Sequence, residues 1–159
     1  MAIPTSVAEF LSGKRIAVAG VSRDPRQAAN AIYRKLLAEG YEVLPVNPQA
    51  AEVEGVRCYP ELGAVSGPID GLIVASPPRT ALELVQQCVD HGVPRVWFHR
   101  SFGGGSVSPD AVHECRARGL ACIVGGCPLM YCGSVDPFHR CLRWMLRWGG
   151  RVPGWGRPG

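Results

Sequence analysis

The chain lacks the features that mark membrane, secreted and nucleic-acid-binding proteins. Its apolar runs are far shorter than the roughly 20 residues needed to cross a bilayer, and its N-terminus has no basic start followed by a long apolar core. The net charge is only +4, and the basic residues form no dense run. These absences predict a cytoplasmic protein that has neither a membrane nor a nucleic acid as its partner.

Cysteine is abundant, but a disulfide framework is not indicated. The seven cysteines are an odd number without the spacing of a small cross-linked scaffold, which favours free thiols in a reducing compartment. Cys115 and Cys141 fall at apolar positions of predicted helices, so we expect packing there and predict no metal site. Cys127 precedes Pro128 after a predicted strand, and it is the thiol that could approach a ligand.

The stretch from residue 15 to residue 47 predicts the unit on which the rest of the chain is built. It begins with an apolar run around Ile16 and Val18, continues with apolar residues at helical spacing, and ends with a second apolar run at residues 43–46. Gly40 is a helix stop before the second run. A strand, a helix and a strand joined by such short loops predict a right-handed parallel βαβ unit.

The loop between this first strand and its helix is the first candidate for a binding site. It lacks the G-x-G-x-x-G dinucleotide fingerprint, because Ser22 and Pro25 stand where the second and third glycines would be. It still leads into a helix N-terminus, whose free backbone N–H groups and positive dipole end attract phosphate. Gly20 allows a close turn, and Arg23 and Arg26 add positive charge.

Three further apolar runs complete a predicted sheet. The runs are residues 70–75, 93–99 and 120–124; helical patterns cover residues 5–13, 76–92, 109–119 and 137–148, and residues 51–62 predict a crossover with at most one helical turn. This alternation predicts an α/β fold: a single Rossmann-like doubly wound domain with a five-stranded, mainly parallel sheet over residues 1–148. Residues 149–159 are rich in Gly and Pro and predict a flexible tail.

A doubly wound sheet binds its ligand beyond the carboxyl ends of its strands, where the strand order reverses. With the first strand central, we expect this crevice between the loops after the first and fourth strands. His99, at the end of the fourth strand, is the best candidate for a general base, although a hydrogen-bonded histidine at the sheet edge is the commoner situation. Four segments should converge on the crevice: residues 20–27, 47–50, 76–80 and 100–106.

The end of the second strand bears on the identity of the ligand. NAD enzymes place Asp or Glu there to bond the ribose diol, whereas this chain has Asn47 and Pro48. A neutral corner would accept a ribose that carries a phosphate, as both NADP and coenzyme A do. The residues alone therefore leave open a CoA-binding protein, an NAD(P)-binding oxidoreductase-like protein and a ligand-free interaction module.

These segments resemble the small stand-alone CoA-binding domain proteins, whose fold is shared with the CoA-binding domain of the succinyl-CoA synthetase alpha subunit. The likeness covers residues 8–130. It is carried by IAVAGVS at the first strand, GYEVLPVNP at the second, an apolar third strand ending in SPP, VWFH at the fourth, and a Cys-Pro step after the fifth.

The resemblance implies that coenzyme A or an acyl-CoA lies along the carboxyl edge of the sheet, with its diphosphate on the first loop and helix. It also implies that Asn47 and Pro48 lie beside the adenosine, and that Pro77, Pro78 and Arg79 form a wall against the adenine. The residues expected to bind the ligand are Gly20, Val21, Ser22, Arg23, Arg26, Gln27, Asn47, Pro48, Ser76, Pro77, Pro78 and Arg79.

No catalytic triad or carboxylate pair is visible in the sequence, so we expect no catalytic residues. The predicted role is that of a non-catalytic CoA-binding protein, acting as a homodimer or with a partner enzyme.

Overall fold

A five-stranded, all-parallel sheet forms the centre of the protein. The computed structural model describes residues 3–100, 103–134 and 137–148. The strands are β1 (Arg15–Ala19), β2 (Glu42–Val46), β3 (Glu52–Val53), β4 (Val56–Arg57), β5 (Gly71–Val74), β6 (Arg95–Phe98) and β7 (Ala121–Val124). The helices are α1 (Thr5–Leu11), α2 (Ala28–Ala38), α3 (Ala81–Asp90), α4 (Pro109–Ala117) and α5 (Pro137–Trp148). The predicted α/β fold with its parallel sheet is confirmed.

The order of the strands differs in one respect from the expected arrangement. The sheet runs β2-β1-β5-β6-β7, so β1 pairs with β2 on one side and with β5 on the other. The strand order reverses between β1 and β5, which are the first and third strands of this sheet along the chain. The expectation of a reversal between the first and fourth strands was wrong. Strands buried on both faces are apolar throughout, and such runs do not reveal which neighbours they pair with.

The two faces of the sheet are covered by different helices. On one face, α1 and α2 pack over Ile16, Val18 and the fully buried Trp97. The Trp97 indole N–H donates to the Gly125 carbonyl at 2.9 Å, and its ring meets Phe10 edge-on at 5.4 Å. On the other face, α3 and α4 pack over the inward side chains of β2, β5 and β6. β1, β2, β5 and β6 are therefore buried on both sides beyond their first residues, as their continuous apolar runs predict, whereas the edge strand β7 is only partly buried.

The segment after β2 contains a hairpin where the sequence predicted only a crossover with at most one helical turn. β3 and β4 pair antiparallel around Glu54 and Gly55, whose φ angles are 51° and 75°. The helical turn itself is present at Leu62–Ala64, and Leu62 is buried. The hairpin was missed because two-residue strands are too short to show alternation, and Glu-Gly is a weaker turn signal than Asn-Gly or Asp-Gly.

Two predicted features fall outside the described residues. They are the tail at residues 149–159 and positions 101 and 102 of the loop after β6. Within the described part of the chain, every helix is too short or too polar to cross a membrane.

The ends of β1 and β5 approach each other so closely that only glycine fits at position 20. Its φ is +103°, and an added Cβ would lie 2.8 Å from the Ala75 carbonyl and from the Ser76 nitrogen. We expect Gly20→Ala to lower the free energy of unfolding by at least about 2 kcal/mol, because left-handed strain and a backbone clash add together. Chemical denaturation measures the change.

Gly40→Ala is the matched control, because Gly40 has a φ of +88° and an added Cβ there meets nothing within 4 Å. This variant should lose only about 1 kcal/mol, the conformational part of the cost. Equal losses in the two variants would contradict a close approach of β1 and β5 at Gly20.

Candidate functional site

A cavity of about 550 Å³ opens at the point where the strand order reverses. It lies at the carboxyl ends of β1, β2 and β5 and continues along the first two turns of α3. Its lining residues are Ala19, Gly20, Ser22, Gln27, Val46, Asn47, Pro48, Gln49, Pro60, Glu61, Ala75, Ser76, Pro77, Arg79, Thr80, Glu83, Leu84 and Gln87. A volume of this size is typical of a small-molecule or cofactor site.

Three of the four predicted segments meet at this cavity. Eight of the twelve predicted site residues line it: Gly20, Ser22, Gln27, Asn47, Pro48, Ser76, Pro77 and Arg79. Four others do not: Val21 is buried in the core, while Arg23, Arg26 and Pro78 are exposed outside the lining. The fourth segment contributes no lining residue among its described positions, 100 and 103–106, because β6 lies one strand beyond the reversal.

The loop after β1 is held in place by Asn30 on the first turn of α2. The Asn30 carboxamide accepts from the Ser22 backbone N–H at 2.9 Å and donates to the Ser22 carbonyl at 2.8 Å. The Ser22 hydroxyl accepts from the Asp24 N–H at 3.0 Å. The backbone and hydroxyl of Ser22 are thus engaged within the loop, and the loop shape is fixed before any ligand arrives.

The β3–β4 hairpin reinforces this arrangement through Glu54. Its carboxylate accepts from the Asn30 side chain at 2.7 Å and pairs with Arg34 at 2.6 Å. Arg34 also donates to the Pro25 carbonyl at 3.0 Å. Asn30, which is buried, and Arg34, which is half-exposed, therefore connect the loop after β1, α2 and the hairpin.

The N-terminus of α2 faces this loop without a side-chain cap. Its N-cap residue, Gln27, is extended and forms no capping hydrogen bond from its side chain. Asp24, the acidic residue of the loop, pairs with Arg26 at 2.9 Å, and that guanidinium lowers the pKa of the Asp24 carboxyl. The negative charge nearest the helix start is therefore countered by Arg26, and the first-turn N–H groups keep their capacity to bind an anion.

The end of β2 is tied to the same loop by Asn47. Its carboxamide donates to the Val21 carbonyl at 3.0 Å and accepts from the Gln49 N–H at 2.9 Å. This asparagine occupies the position where a carboxylate would bind a ribose diol in an NAD enzyme. The corner of the cavity is neutral as a result.

After β5 the chain makes a short 3-10 turn, Pro78–Thr80, before α3 begins. The Ser76 and Thr80 hydroxyls are 2.7 Å apart, and Thr80 also donates to the Pro77 carbonyl at 2.8 Å. This pairing directs Pro77 and Arg79 to the cavity wall. Arg79 is the one arginine that lines the cavity in the described part of the chain.

The far end of the cavity is acidic, a feature that the sequence reasoning missed. Glu61 and Glu83 line it, and Gln87 donates to Glu83 at 3.4 Å while accepting from the Leu62 N–H at 3.0 Å. The three- and four-residue spacing of positions 80, 83, 84 and 87 places them on one face of α3. The spacing could have identified Glu83 and Gln87 as cavity residues from the sequence, but only if Thr80 had already been known to line the cavity.

Neither His99 nor Cys127 lines the cavity, although both were candidates for contact with a ligand. His99 is 9% exposed, and burial lowers its pKa to about 4. Cys127 is 2% exposed and packs within the core on the α2 side of the sheet. Among the described residues, no three His, Cys, Asp or Glu side chains are grouped so that they could hold a metal ion.

Known proteins resemble this chain in sequence and fold. A family model described as a CoA binding domain matches residues 14–133. The uncharacterized protein YneT of Bacillus subtilis is 28% identical over 114 residues, which are 72% of this chain and 82% of YneT. The alpha subunit of ADP-forming acetate–CoA ligase II of Pyrococcus furiosus is 31% identical over 88 residues, 55% of this chain and 19% of that subunit.

Among solved structures, a hypothetical protein from Pyrococcus horikoshii has the same fold. It superposes with a TM-score of 0.71 at 29% identity, over 80% of this chain and 92% of that one. The chain thus spans most of the length of YneT and of the Pyrococcus horikoshii protein, but only 19% of the ligase subunit.

The contact between Asn30 and Glu54 predicts that the effect of Glu54→Gln on the free energy of unfolding changes sign in a double-mutant cycle with Asn30→Asp. Asn30→Asp should lower the free energy of unfolding by about 2–4 kcal/mol, because it removes two donated hydrogen bonds and sets a carboxylate against Glu54. Glu54→Gln alone should destabilise by about 1 kcal/mol through loss of the pair with Arg34. In the Asn30→Asp background the same change should stabilise. Additive effects in urea unfolding would contradict this contact.

Burial of His99 predicts a loss of stability between pH 6.5 and about 4. In that interval the unfolded histidine binds a proton that the folded one does not, so stability falls as the pH falls, by up to about 1.4 kcal/mol per pH unit. The Asp70 carboxyl, whose pKa is lowered by the N–H groups of Arg15 and Lys14, loses its contribution only at lower pH. His99→Asn should flatten the upper part of the profile.

His113→Asn is the control for that profile, because His113 is exposed on α4. Denaturant unfolding across the pH series should give the wild-type slope for this variant. A wild-type slope for His99→Asn as well would remove His99 as the cause of the pH dependence.

Proposed function

The chain belongs to the CoA-binding domain family, and we propose that it binds coenzyme A or an acyl-CoA in the cavity at the ends of β1, β2 and β5. One observation carries the proposal: an uncapped helix N-terminus opens onto a cofactor-sized cavity at the reversal of strand order. Parallel α/β sheets bind nucleotide-containing ligands at this place. Membership of the CoA-binding domain family comes from the family match over residues 14–133.

The diphosphate is proposed to lie at the start of α2. The first intrahelical acceptor is the Gln27 carbonyl, which binds the amides of Asn30 and Ala31. The amides of Ala28 and Ala29 precede those bonds, and they are the donors that phosphate oxygens would meet. Gly20 lines the cavity beside these amides, and its missing side chain lets the backbone after β5 lie directly against it.

The charges in the cavity set the direction of the ligand. Glu61 and Glu83 repel phosphate from the far end, whereas their oxygens can accept from an exocyclic amine. We therefore place the adenine between Pro77 and the acidic end, with Arg79 close enough to pair with the 3′-phosphate of the ribose. Arg23 and Arg26 would act on the diphosphate from the rim, and Arg26 would act less because Asp24 already pairs with it.

The proposed role is to bind and present the ligand without transforming it. Among the described residues that line the cavity there is no cysteine, histidine or lysine. The matched Pyrococcus furiosus subunit belongs to an acetate–CoA ligase and is several times the aligned length. A chain that corresponds to a small part of it would need a partner enzyme to take part in such a reaction.

Isothermal titration calorimetry of the purified protein with CoA and with NADPH tests the ligand class. We expect heat of binding with CoA, and little or none with NADPH, because His99, toward which a nicotinamide pocket would extend, is buried and does not line the cavity. Binding of NADPH but not of CoA would contradict the proposal and favour an NAD(P)-binding oxidoreductase-like protein. Failure of both ligands, with a folded protein by circular dichroism, would favour a ligand-free interaction module.

Arg79→Ala should weaken CoA binding by about 10- to 100-fold, because it removes a charge-assisted contact from the cavity wall. The empty protein should melt at the wild-type temperature, since Arg79 is exposed. Arg116→Ala, which removes an exposed arginine on α4, is the matched control and should leave the affinity unchanged. Equal affinity in both variants would exclude Arg79 from the site.

A further inference from the structure

The positive charge of the chain is concentrated at its C-terminal end. Residues 137–159 contain five arginines and no acidic residue, whereas residues 1–136 contain twelve basic and thirteen acidic residues. The net charge of the C-terminal part is +5 and that of the remainder is −1. Three of the four tryptophans of the chain, at positions 144, 148 and 155, also fall in this part.

Helix α5 begins this segment and separates apolar from basic positions. Arginines occupy positions 140, 143 and 147, which the helical spacing of three and four places on one side. Positions 138, 141, 142 and 145 are apolar and fall on the other side by the same geometry. No acidic residue occurs in the helix to pair with these arginines.

Large apolar side chains of α5 are exposed where the structure describes them. Met145, on the apolar side, is 57% exposed, and Trp144, which borders the arginines four residues after Arg140, is 55% exposed; these are the two highest values among the large hydrophobic residues described. Cys141, predicted to be a packing residue, is exposed as well. A protein seldom leaves neighbouring large apolar side chains in water without a use for them.

This segment is separate from the proposed ligand site. None of the residues that line the cavity belongs to α5, and the family match ends at residue 133, before the helix begins. The function of the CoA-binding domain therefore gives no account of the charge or of the exposed apolar side.

We propose that α5 docks the protein on an anionic lipid bilayer, lying in the plane of the headgroups. A helix with a strong amphipathic division, arginines on its polar side and tryptophan at the border between its polar and apolar sides, has the composition of interfacial membrane helices. Tryptophan prefers the boundary between headgroups and acyl chains. The helix does not need to cross the bilayer, so the inference is compatible with the absence of a long apolar run, although it departs from the prediction that no membrane is a partner.

The combination of charge and apolar exposure favours a bilayer over other partners. A nucleic acid would satisfy the arginines but offers no continuous apolar layer for Trp144 and Met145. A second copy could cover the apolar side but would bring three further arginines, those of its own α5, to the same place. An anionic membrane surface offers negative charge to the arginines and an apolar layer to Trp144 and Met145.

Flotation of the full chain with lipid vesicles tests the proposal. Vesicles of phosphatidylcholine containing phosphatidylglycerol should carry the protein, those of phosphatidylcholine alone should carry much less, and high salt should release it. Replacing Arg140, Arg143 and Arg147 together by Gln should reduce the partition coefficient roughly 100-fold, at about fivefold per charge. The same change at Lys14, Arg116 and Arg118, which are exposed elsewhere, should have little effect.

The contribution of the exposed apolar side chains is tested by changing Trp144 and Met145 to Ser. We expect this change to lower the vesicle partition coefficient at least about tenfold. The control changes Leu37 and Leu82, 44% and 47% exposed on other surfaces, to Ser. CoA binding and the melting temperature confirm that each variant is folded, and they make failure here distinct from failure of the ligand site.

Three results would overturn the proposal. The first is a folded protein that ignores anionic vesicles at low salt. The second is vesicle binding that neither set of changes at α5 weakens. The third is a concentration-dependent dimer, found by analytical ultracentrifugation, that the Trp144 and Met145 changes abolish while vesicles fail to bind.

Discussion

The close approach of β1 and β5 at Gly20 is the constraint on which the site depends. Because no side chain separates the two backbones there, the two strands end side by side and their continuations must part. One continuation enters α2 on one face of the sheet, and the other enters α3 on the opposite face. The space between these continuations is the cavity, and the N-terminus of α2 faces it.

Side-chain amides then fix the walls of this space. Asn30 joins the loop after β1 to α2 and to the hairpin, and Asn47 joins that loop to the end of β2. Both use neutral groups and are largely committed to backbone partners. The cavity can therefore keep its shape without a ligand, which lowers the ordering cost of binding one. The charges that remain for recognition are Arg79 at one place and Glu61 and Glu83 at another.

Much of this fold could be predicted from the sequence, because strands covered on both faces leave continuous apolar runs and helices leave a period of three to four. The end of β2, with Asn47 in place of an acid, was also visible. Strand order was not, since β1 has the same apolar character whichever strands flank it. The β3–β4 hairpin was too short to leave a pattern. The role of Asn30 depends on contacts with Ser22 and Glu54, which lie 8 and 24 residues away along the chain.

The loop after β1, the end of β2 and the turn after β5 are proposed to receive one nucleotide-containing ligand. Titration of isotopically labelled protein with CoA, followed through backbone amide chemical shifts, examines all three segments in one experiment. We expect the largest shifts to occur together at residues 20–29, 47–49 and 76–80, with saturation at a single stoichiometric site. Shifts confined to the ends of β6 and β7, or none at all at saturating CoA, would contradict it.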